Sequence, residues 1–246
     1  MVKRVYIQQQ NRTYLAPCGF SCHEGFRFLG KDVQPFEEAQ LPDLLLTSET
    51  LVHGWVRTVQ QALVQMGKAI PAALDYPDEL ASYLATPVRM TTLGEVHAAW
   101  RAETPEPVFV KPVAQKLFTG HTVERFSHLA ETTPFPPDTP VWVAQVVDHV
   151  SEYRCFVHEH RLVGFKHYRG DPWLLPDRRT INQMIRDFAP AAPIAYGLDV
   201  GLIETGDGHK TCLVEINDCY ALGNYGFDPI AYCEMLEARW LQLMAG

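Results

Sequence analysis

Three oxygen-bearing side chains in the last third of the sequence have the types and spacing that suit a divalent cation. Glu215 and Asn217 stand two residues apart in the run 213–217, so a strand there points both side chains to one face. Asp199 ends the preceding strand-like run and could join them across a hairpin. Two carboxylates and an amide oxygen are hard ligands of the kind that hold Mg²⁺ on nucleotide phosphates. The alternative is that Glu215 is an ordinary solvent-facing strand residue.

Two lysines and a glycine turn form a candidate phosphate-binding group. Lys111 ends a strand-like run, and Lys116 precedes the small-residue turn at Gly120. A lysine on a fixed strand and another basic residue beside a flexible turn could grip a polyphosphate from two sides. The alternative for Lys111 is a solvated strand end. The sequence has no Gly-x-x-x-x-Gly-Lys and no Gly-x-Gly-x-x-Gly, so it offers no P-loop and no Rossmann fingerprint.

A third group lies where a strand leaves a predicted sheet. The exposed backbone after the strand could pair with an adenine edge, the glutamate could accept hydrogen bonds from ribose hydroxyls, and the arginine would point into the same cleft. The alternative is an ordinary connection between strands with surface charges. The members of this group are Gln145, Val146, Val147, Asp148, Glu152 and Arg154.

The segment with Cys18, Cys22 and His23 is the one cysteine cluster with the look of metal ligands. A structural zinc site needs four placed ligands, and no second Cys/His pair follows at regular spacing. We therefore expect a loop of small buried thiols there. The six cysteines of the chain are expected to stay reduced, because no secretory signal precedes them.

Composition narrows the class of protein. The 246 residues carry 29 acidic and 21 basic side chains, for a net charge of −8, which argues against nucleic-acid binding through a basic face. No apolar stretch approaches the ~18 residues of a membrane-spanning helix, and the start of the chain runs into polar residues too early for a signal peptide. We expect a cytoplasmic enzyme without nucleic-acid or membrane partners.

The elements that must position these groups read as mixed α and β. In the first half we predict a strand at 2–7, a buried strand at 44–46, and a helix whose apolar stripe runs from Val52 through Trp55 to Met66 and stops at Gly67. The second half is dense in strands, and a terminal helix opens at Asp228-Pro229. The other predicted helices are 93–100 and 181–188, and the other predicted strands are 107–111, 141–145, 153–157, 161–166, 198–203 and 211–216.

The order of these groups resembles that of the ATP-grasp superfamily of carboxylate–amine ligases, from about residue 89 to the C terminus. Lys111, in Val-Phe-Val-Lys-Pro, is similar to the phosphate-holding lysine of D-alanine–D-alanine ligases. Gln145 and Glu152 keep the separation of the family's adenine hinge and ribose-binding glutamate. The resemblance thus implies nucleotide binding by Lys111, Lys116, Gly120, Gln145, Val146, Val147, Asp148 and Glu152, and magnesium binding by Asp199, Glu215 and Asn217.

The run Glu-Tyr-Arg-Cys-Phe-Val at 152–157 also resembles the Asp-Ile-Arg-Cys-Leu-Val stretch of ribosomal-protein glutamate ligases. By this likeness, Arg154, Lys166 and Arg169 are candidates for contacting the transferred phosphoryl group or the carboxylate. Three positions depart from the family pattern. Gly197 stands where D-alanine–D-alanine ligases have an arginine, an earlier phosphate lysine has no counterpart near residues 75–84, and Asp218 begins an unusual turn.

The resemblance implies an α/β (α+β) ATP-grasp fold. Its small N-terminal α/β lobe would span residues 1–88, and the ATP-grasp domain 89–246, divided into a nucleotide lobe (89–147) and a metal-binding lobe (148–246). The implied reaction uses ATP and Mg²⁺ to join a small-molecule or peptide carboxylate to an amine through an acyl phosphate, with release of ADP. A homodimer fits the family analogy. An ATP-dependent kinase and a non-catalytic nucleotide-binding module remain alternatives.

Overall fold

The computed structural model describes residues 1–15, 18–102 and 106–245, which form three four-stranded sheets with helices packed against them. Apolar side chains of each sheet and its helices make a separate core cluster. In the described residues, no helix combines the length and apolar character needed to cross a membrane. The helices are α1 (Cys18–Phe28), α2 (Val56–Gln65), α3 (Leu93–Ala102), α4 (Arg178–Phe188) and α5 (Pro229–Ala245).

The first sheet is built around β1 (Arg4–Gln10), which pairs in parallel with β3 (Asp32–Glu37) and β4 (Thr50–His53). The short β2 (Thr13–Tyr14) returns antiparallel to β1. Helix α1 connects β1 to β3, and the terminal helix α5 packs against α1, so the two ends of the chain share one core.

The second sheet lies between the other two in sequence and is antiparallel, in the order β5-β8-β6-β7. Helix α3 covers it, with Leu93, Val96 and Trp100 in its core. Lys111 lies near the end of the central strand β6. The strands are β5 (Val88–Thr92), β6 (Val108–Pro112), β7 (His121–Val123) and β8 (Pro140–Gln145).

The third sheet is antiparallel in the order β10-β9-β11-β12, and helix α4 packs on one face. Four charged side chains occupy one row across it, because paired residues of antiparallel strands share a face. The row runs from the edge strand inward as Lys166, Arg154, Asp199 and Glu215. The strands are β9 (Ser151–His158), β10 (Arg161–Gly170), β11 (Ala195–Thr205) and β12 (Gly208–Asp218).

Two local predictions fail in the first half of the chain. The strand lies at β4, whereas the predicted segment 44–46 is irregular and lies outside the sheet. Val52 therefore belongs to β4, and helix α2 begins at Val56 with Trp55 half exposed before it. The pattern misleads because strand and helix residues are contiguous there and both are apolar.

The N-terminal cysteine cluster is also different from the prediction. Cys18, Cys22 and His23 lie in helix α1, where a loop was predicted. Cys22 is buried and His23 bonds to the Tyr14 hydroxyl at 2.7 Å. Among the described residues, no group of three or more His, Cys, Asp and Glu side chains is arranged to hold a metal ion.

Candidate nucleotide and metal site

Two adjoining cavities lie where the second and third sheets face each other. The first, which we call the hinge cavity, has a volume of about 510 Å³, and the second, the charged cavity, about 470 Å³. Phe109 and Gly120 line both, so the cavities meet at strand β6 and the turn before β7. Their combined extent suits one elongated ligand better than two separate small ones.

The hinge cavity contains every residue of the predicted adenine-binding segment. Strand β8 ends at Gln145, and the chain then runs without regular structure to β9. Its apolar walls include Tyr76 and Phe109, and the polar backbone of the connection faces the same space. The predicted nucleotide-binding residues that line this cavity are Gly120, Gln145, Val146, Val147, Asp148 and Glu152.

Glu152 is the buried carboxylate of the hinge cavity. Arg169 donates to its Oε1 at 2.7 Å, and His149 Nδ1 lies 3.5 Å from the same oxygen. Burial alone would raise the pKa of Glu152, but hydrogen bonds from His149 and Tyr168 and the charge of Arg169 lower it. Burial likewise opposes protonation of His149, but its hydrogen bonds with Cys212 and Glu152 raise the pKa of this imidazole to about 9. Glu152 is therefore an ionised acceptor at neutral pH.

The charged cavity brings Lys111 onto the carboxylates of the third sheet. Lys111 Nζ contacts Glu215 Oε2, and it bonds at 2.5 Å to Asp75 Oδ1. The ring of Tyr76 also faces this ammonium, with its centroid 5.4 Å away. Burial alone would lower the pKa of Lys111, but Glu215 and Asp75 raise it, so the ammonium stays charged.

Arg154 and Asp199 form a buried two-pronged ion pair in the same cavity. Arg154 Nε and Nη2 donate to the two Asp199 oxygens at 2.8 and 2.6 Å, and the guanidinium lies 4.9 Å from the ring centroid of Tyr225. A side chain at Gly197 would begin 3.4 Å from Arg154 Nε. The arginine of β9 therefore occupies the space above the glycine at which the family pattern has its own arginine.

The residues predicted to bind magnesium are in mutual contact. Asn217 Nδ2 donates to Asp199 Oδ2 at 3.1 Å and to Glu215 Oε1 at 2.9 Å. Their oxygen ligands suit Mg²⁺. The three carboxylates of Asp75, Asp199 and Glu215 pair with the two cations of Lys111 and Arg154, so this group of five retains one net negative charge. The chemistry of the set therefore fits a divalent cation, with the Asn217 oxygen as the third ligand.

The remaining predicted residues are distributed unevenly. Lys116 lines the charged cavity, with its backbone in the left-handed region at φ 57°. Arg169 lines the hinge cavity, on Glu152, and lies outside the lining of the charged cavity. Lys166 lines neither cavity; it pairs across the sheet with Arg154 at the edge strand. Of the three residues expected at the reacting groups, the structure brings only Arg154 into the charged cavity.

Sequence reasoning missed Asp75 and Tyr76, which come from the irregular segment between α2 and β5. The Asp75 carbonyl accepts from the Ile216 N–H at 2.8 Å, which fixes this segment beside β12. Trp142 Nε1 donates to Asp75 Oδ2 at 3.2 Å. Nothing in the local sequence marks the aspartate except that it stands in an irregular, Pro-flanked stretch, because its partners lie far away in the chain.

Comparison with known proteins gives a consistent fold. A family model of the ATP-grasp domain, the second family of its clade, matches residues 83–235. No curated protein matches the chain in sequence. Solved structures that resemble it include PsnB, described as an ATP-grasp ligase complexed with a minimal precursor, with 13% identity, a TM-score of 0.54, and 97% of this chain and 100% of that chain covered.

Two further solved structures have the same fold. The RimK domain ATP-grasp protein of Sphaerobacter thermophilus DSM 20745 has 18% identity and a TM-score of 0.53, with 99% of this chain and 100% of that chain covered. The D-alanine–D-alanine ligase of Bacillus anthracis, complexed with ATP, has 14% identity and a TM-score of 0.56, with 100% and 99% covered. At such identities the likeness extends to the fold and no further.

Proposed function

The chain belongs to the ATP-grasp domain family whose model spans residues 83–235, and from that premise we propose an ATP- and Mg²⁺-dependent ligase that joins a carboxylate to an amine. The resemblance and the fold class expected from the sequence are confirmed. Family membership supports ATP-dependent ligase activity in general. The acyl-phosphate route, the release of ADP and the roles of individual residues are our proposal.

The observation that carries the proposal is the shared charged cavity. Lys111 from the second sheet contacts Glu215 of the third, and the hinge cavity adjoins them on the side of Phe109. A nucleoside triphosphate with its base in the hinge cavity would direct its phosphates toward Lys111 and Lys116. Asp199, Glu215 and Asn217 would hold Mg²⁺, which supplies charge neutralisation to the phosphates when bound.

The proposed reaction needs positioning more than covalent help from the protein. A substrate carboxylate oxygen attacks the γ-phosphorus, the bond to the β-phosphate oxygen breaks, and ADP leaves. The lone pair of an amine then attacks the acyl carbon, and inorganic phosphate leaves as the nitrogen loses a proton. Arg154 lies beside the metal-binding residues and would steady the phosphoryl or carboxylate group. The 113–120 connection would exclude water from the acyl phosphate.

We propose an amino acid or a peptide as the source of the carboxylate. The PsnB structure holds a precursor peptide, which supports this class of substrate. The charged cavity itself is bordered by Tyr168 and Tyr225, stacked at 5.1 Å between ring centroids. Such a wall suits an organic substrate that enters opposite the nucleotide.

The test is an ADP-release screen that pairs amino acids and short peptides with amines, with hydroxylamine as a trap. We expect a hydroxamate with the true carboxylate, since hydroxylamine intercepts an acyl phosphate. Lys111→Ala and Glu215→Ala should each reduce ADP release by about 100-fold or more. Lys210→Ala and Glu204→Ala, which change the same residue types at the exposed β11–β12 hairpin, should retain full turnover.

Two outcomes would contradict the proposal. ADP release without any hydroxamate, together with a phosphorylated hydroxyl product, would identify a kinase. ATP binding with no ADP release for any pair would identify a non-catalytic nucleotide-binding module. Full turnover by folded Lys111→Ala or Glu215→Ala would remove the charged cavity from the chemistry.

A further inference from the structure

Lys111 occupies the charged cavity in a way that conflicts with metal binding. Its ammonium contacts Glu215 Oε2, and Glu215 is one of the three residues that would hold Mg²⁺. An ammonium and a divalent cation on the same carboxylate repel each other strongly in a buried site. Glu215 must therefore exchange one cation for the other when the metal enters.

Asp75 provides the ammonium with a second carboxylate that is fixed in place. Its Oδ1 bonds to Lys111 Nζ at 2.5 Å, and its Oδ2 accepts from Trp142 Nε1 at 3.2 Å. Its backbone carbonyl is tied to Ile216, so the carboxylate cannot follow Lys111 far. The backbone at Asp75 lies in the left-handed region at φ 29°, a conformation that costs free energy for residues other than glycine.

Burial makes this contact obligatory in both states of the site. Asp75 is only 6% exposed, and a buried carboxylate without a cation is strongly disfavoured. An ammonium has three donors, so Lys111 can release Glu215 while it keeps Asp75. Without Asp75, the metal would expel the ammonium from its only carboxylate partner.

We propose that Asp75 is a positioning residue that retains Lys111 when Glu215 is given over to the metal, and so sets how readily the nucleotide-free site accepts a divalent cation. The inference rests on the proposed function in that it takes Asp199, Glu215 and Asn217 as the metal ligands. Asp75 acts on the metal through Lys111 and does not ligate it.

The test is Mn²⁺ binding to the full chain, followed by electron paramagnetic resonance without nucleotide and again with a non-hydrolysable ATP analogue. Asp75→Asn should weaken Mn²⁺ binding by about tenfold without nucleotide, in the range found when residues supporting metal ligands are changed. Asp75→Glu, which keeps the charge, should restore most of the affinity. Asp78→Asn, an exposed aspartate on the same segment, is the matched control and should bind as the wild type does.

A double-mutant cycle with Lys111→Met separates this role from a general charge effect. If Asp75 acts through Lys111, Asp75→Asn has little further effect once the ammonium is gone. An equal tenfold loss in the Lys111→Met background would overturn the inference, because Asp75 would then attract or ligate the metal directly. Trp142→Phe, which frees Oδ2 without removing the carboxylate, should give a smaller loss that also disappears in that background; it decides the question if Asp75→Asn does not fold.

The two proposals fail in different ways. If the wild type binds no Mn²⁺ with or without the analogue, the metal site of the proposed function is wrong. If the wild type binds Mn²⁺ only with the analogue, or if the nucleotide-free protein binds it equally well with Asp75→Asn, the inference about Asp75 is wrong while the ligase proposal stands.

Discussion

His53 shows how burial fixes the charge of a single residue in the N-terminal lobe. It lies at the end of β4, buried, with its ring edge-on to Tyr232 at 6.3 Å between centroids. Burial lowers the pKa of His53 to about 4, and its Nδ1 has no hydrogen-bond partner in the described structure. The imidazole is therefore neutral in the folded protein at pH 5, where an unfolded histidine is mostly protonated.

This difference predicts an acid sensitivity with a definite sign. Above pH 6.5 His53 is neutral in both states and contributes nothing; below pH 6.5 the unfolded state takes up a proton that the folded state refuses until about pH 4. Stability should therefore fall by about 2 to 3 kcal/mol between about pH 6.5 and 4.5 on account of this residue. Urea unfolding of the wild type and of His53→Phe at both pH values measures it. An equal acid loss in His53→Phe would assign the effect to other groups.

At the scale of elements, one hydrogen-bonded junction joins all three sheets at the charged cavity. The Tyr220 hydroxyl, in the turn after β12, donates to Gln115 Oε1 at 2.6 Å and accepts from Gln60 Nε2 of α2 at 2.9 Å. Asp218 holds the turn, since it accepts from the Tyr220 N–H and forms a buried ion pair with Arg239 of α5. Gln115 belongs to the connection that carries Lys116 and Gly120.

Tyr220→Phe should therefore loosen the 113–120 connection without unfolding the protein. Loss of these hydrogen bonds should raise the KM for ATP several-fold, up to about tenfold, at about 1 kcal/mol for each bond. Hydrogen exchange across 113–120 should rise in the same variant. Tyr83→Phe removes a hydroxyl bonded to Asp187, remote from both cavities, and should change neither quantity. An unchanged KM and unchanged exchange in Tyr220→Phe would show that the junction does not hold the connection.

At the scale of the molecule, helix α5 fastens the end of the chain to its beginning. Trp240 Nε1 donates to the Thr50 carbonyl at 2.7 Å, and Glu237 pairs with Lys31 at 2.7 Å. Helices α1 and α5 approach closely at Gly25, where a methyl group would lie 2.3 Å from the Pro229 carbonyl oxygen and 2.6 Å from Cys233 Sγ. The N-terminal lobe is therefore packed on the same helix that supports the turn of Tyr220.

Gly25→Ala should destabilise the whole protein, because backbone atoms cannot yield to the added methyl group. We expect a loss of about 1 to 3 kcal/mol, seen as a lower urea midpoint with an unchanged slope. Gly206→Ala, where the added methyl group meets nothing within 4 Å, should stay within about 0.5 kcal/mol of the wild type. A midpoint for Gly25→Ala that equals the control would mean that α1 and α5 separate at little cost.

The sequence by itself determined those features that depend on neighbours in the chain. Alternation along β12 places Glu215 and Asn217 on one face, and the Asp228-Pro229 pair starts α5, with Asp228 accepting from two backbone N–H groups. The end of β8 at Gln145 and the spacing to Glu152 follow from the same local rules. Alternation and capping act over a few residues, so the sequence displays them directly.

Tertiary structure alone decided which distant side chains share a cavity. Asp75 joins Lys111 and Trp142 because the irregular segment before β5 lies against β12, and Tyr220 meets Gln60 across 160 residues. The same packing leaves Lys166 at the sheet edge. Such contacts depend on how whole lobes pack, and no short-range pattern encodes the direction in which two buried surfaces meet.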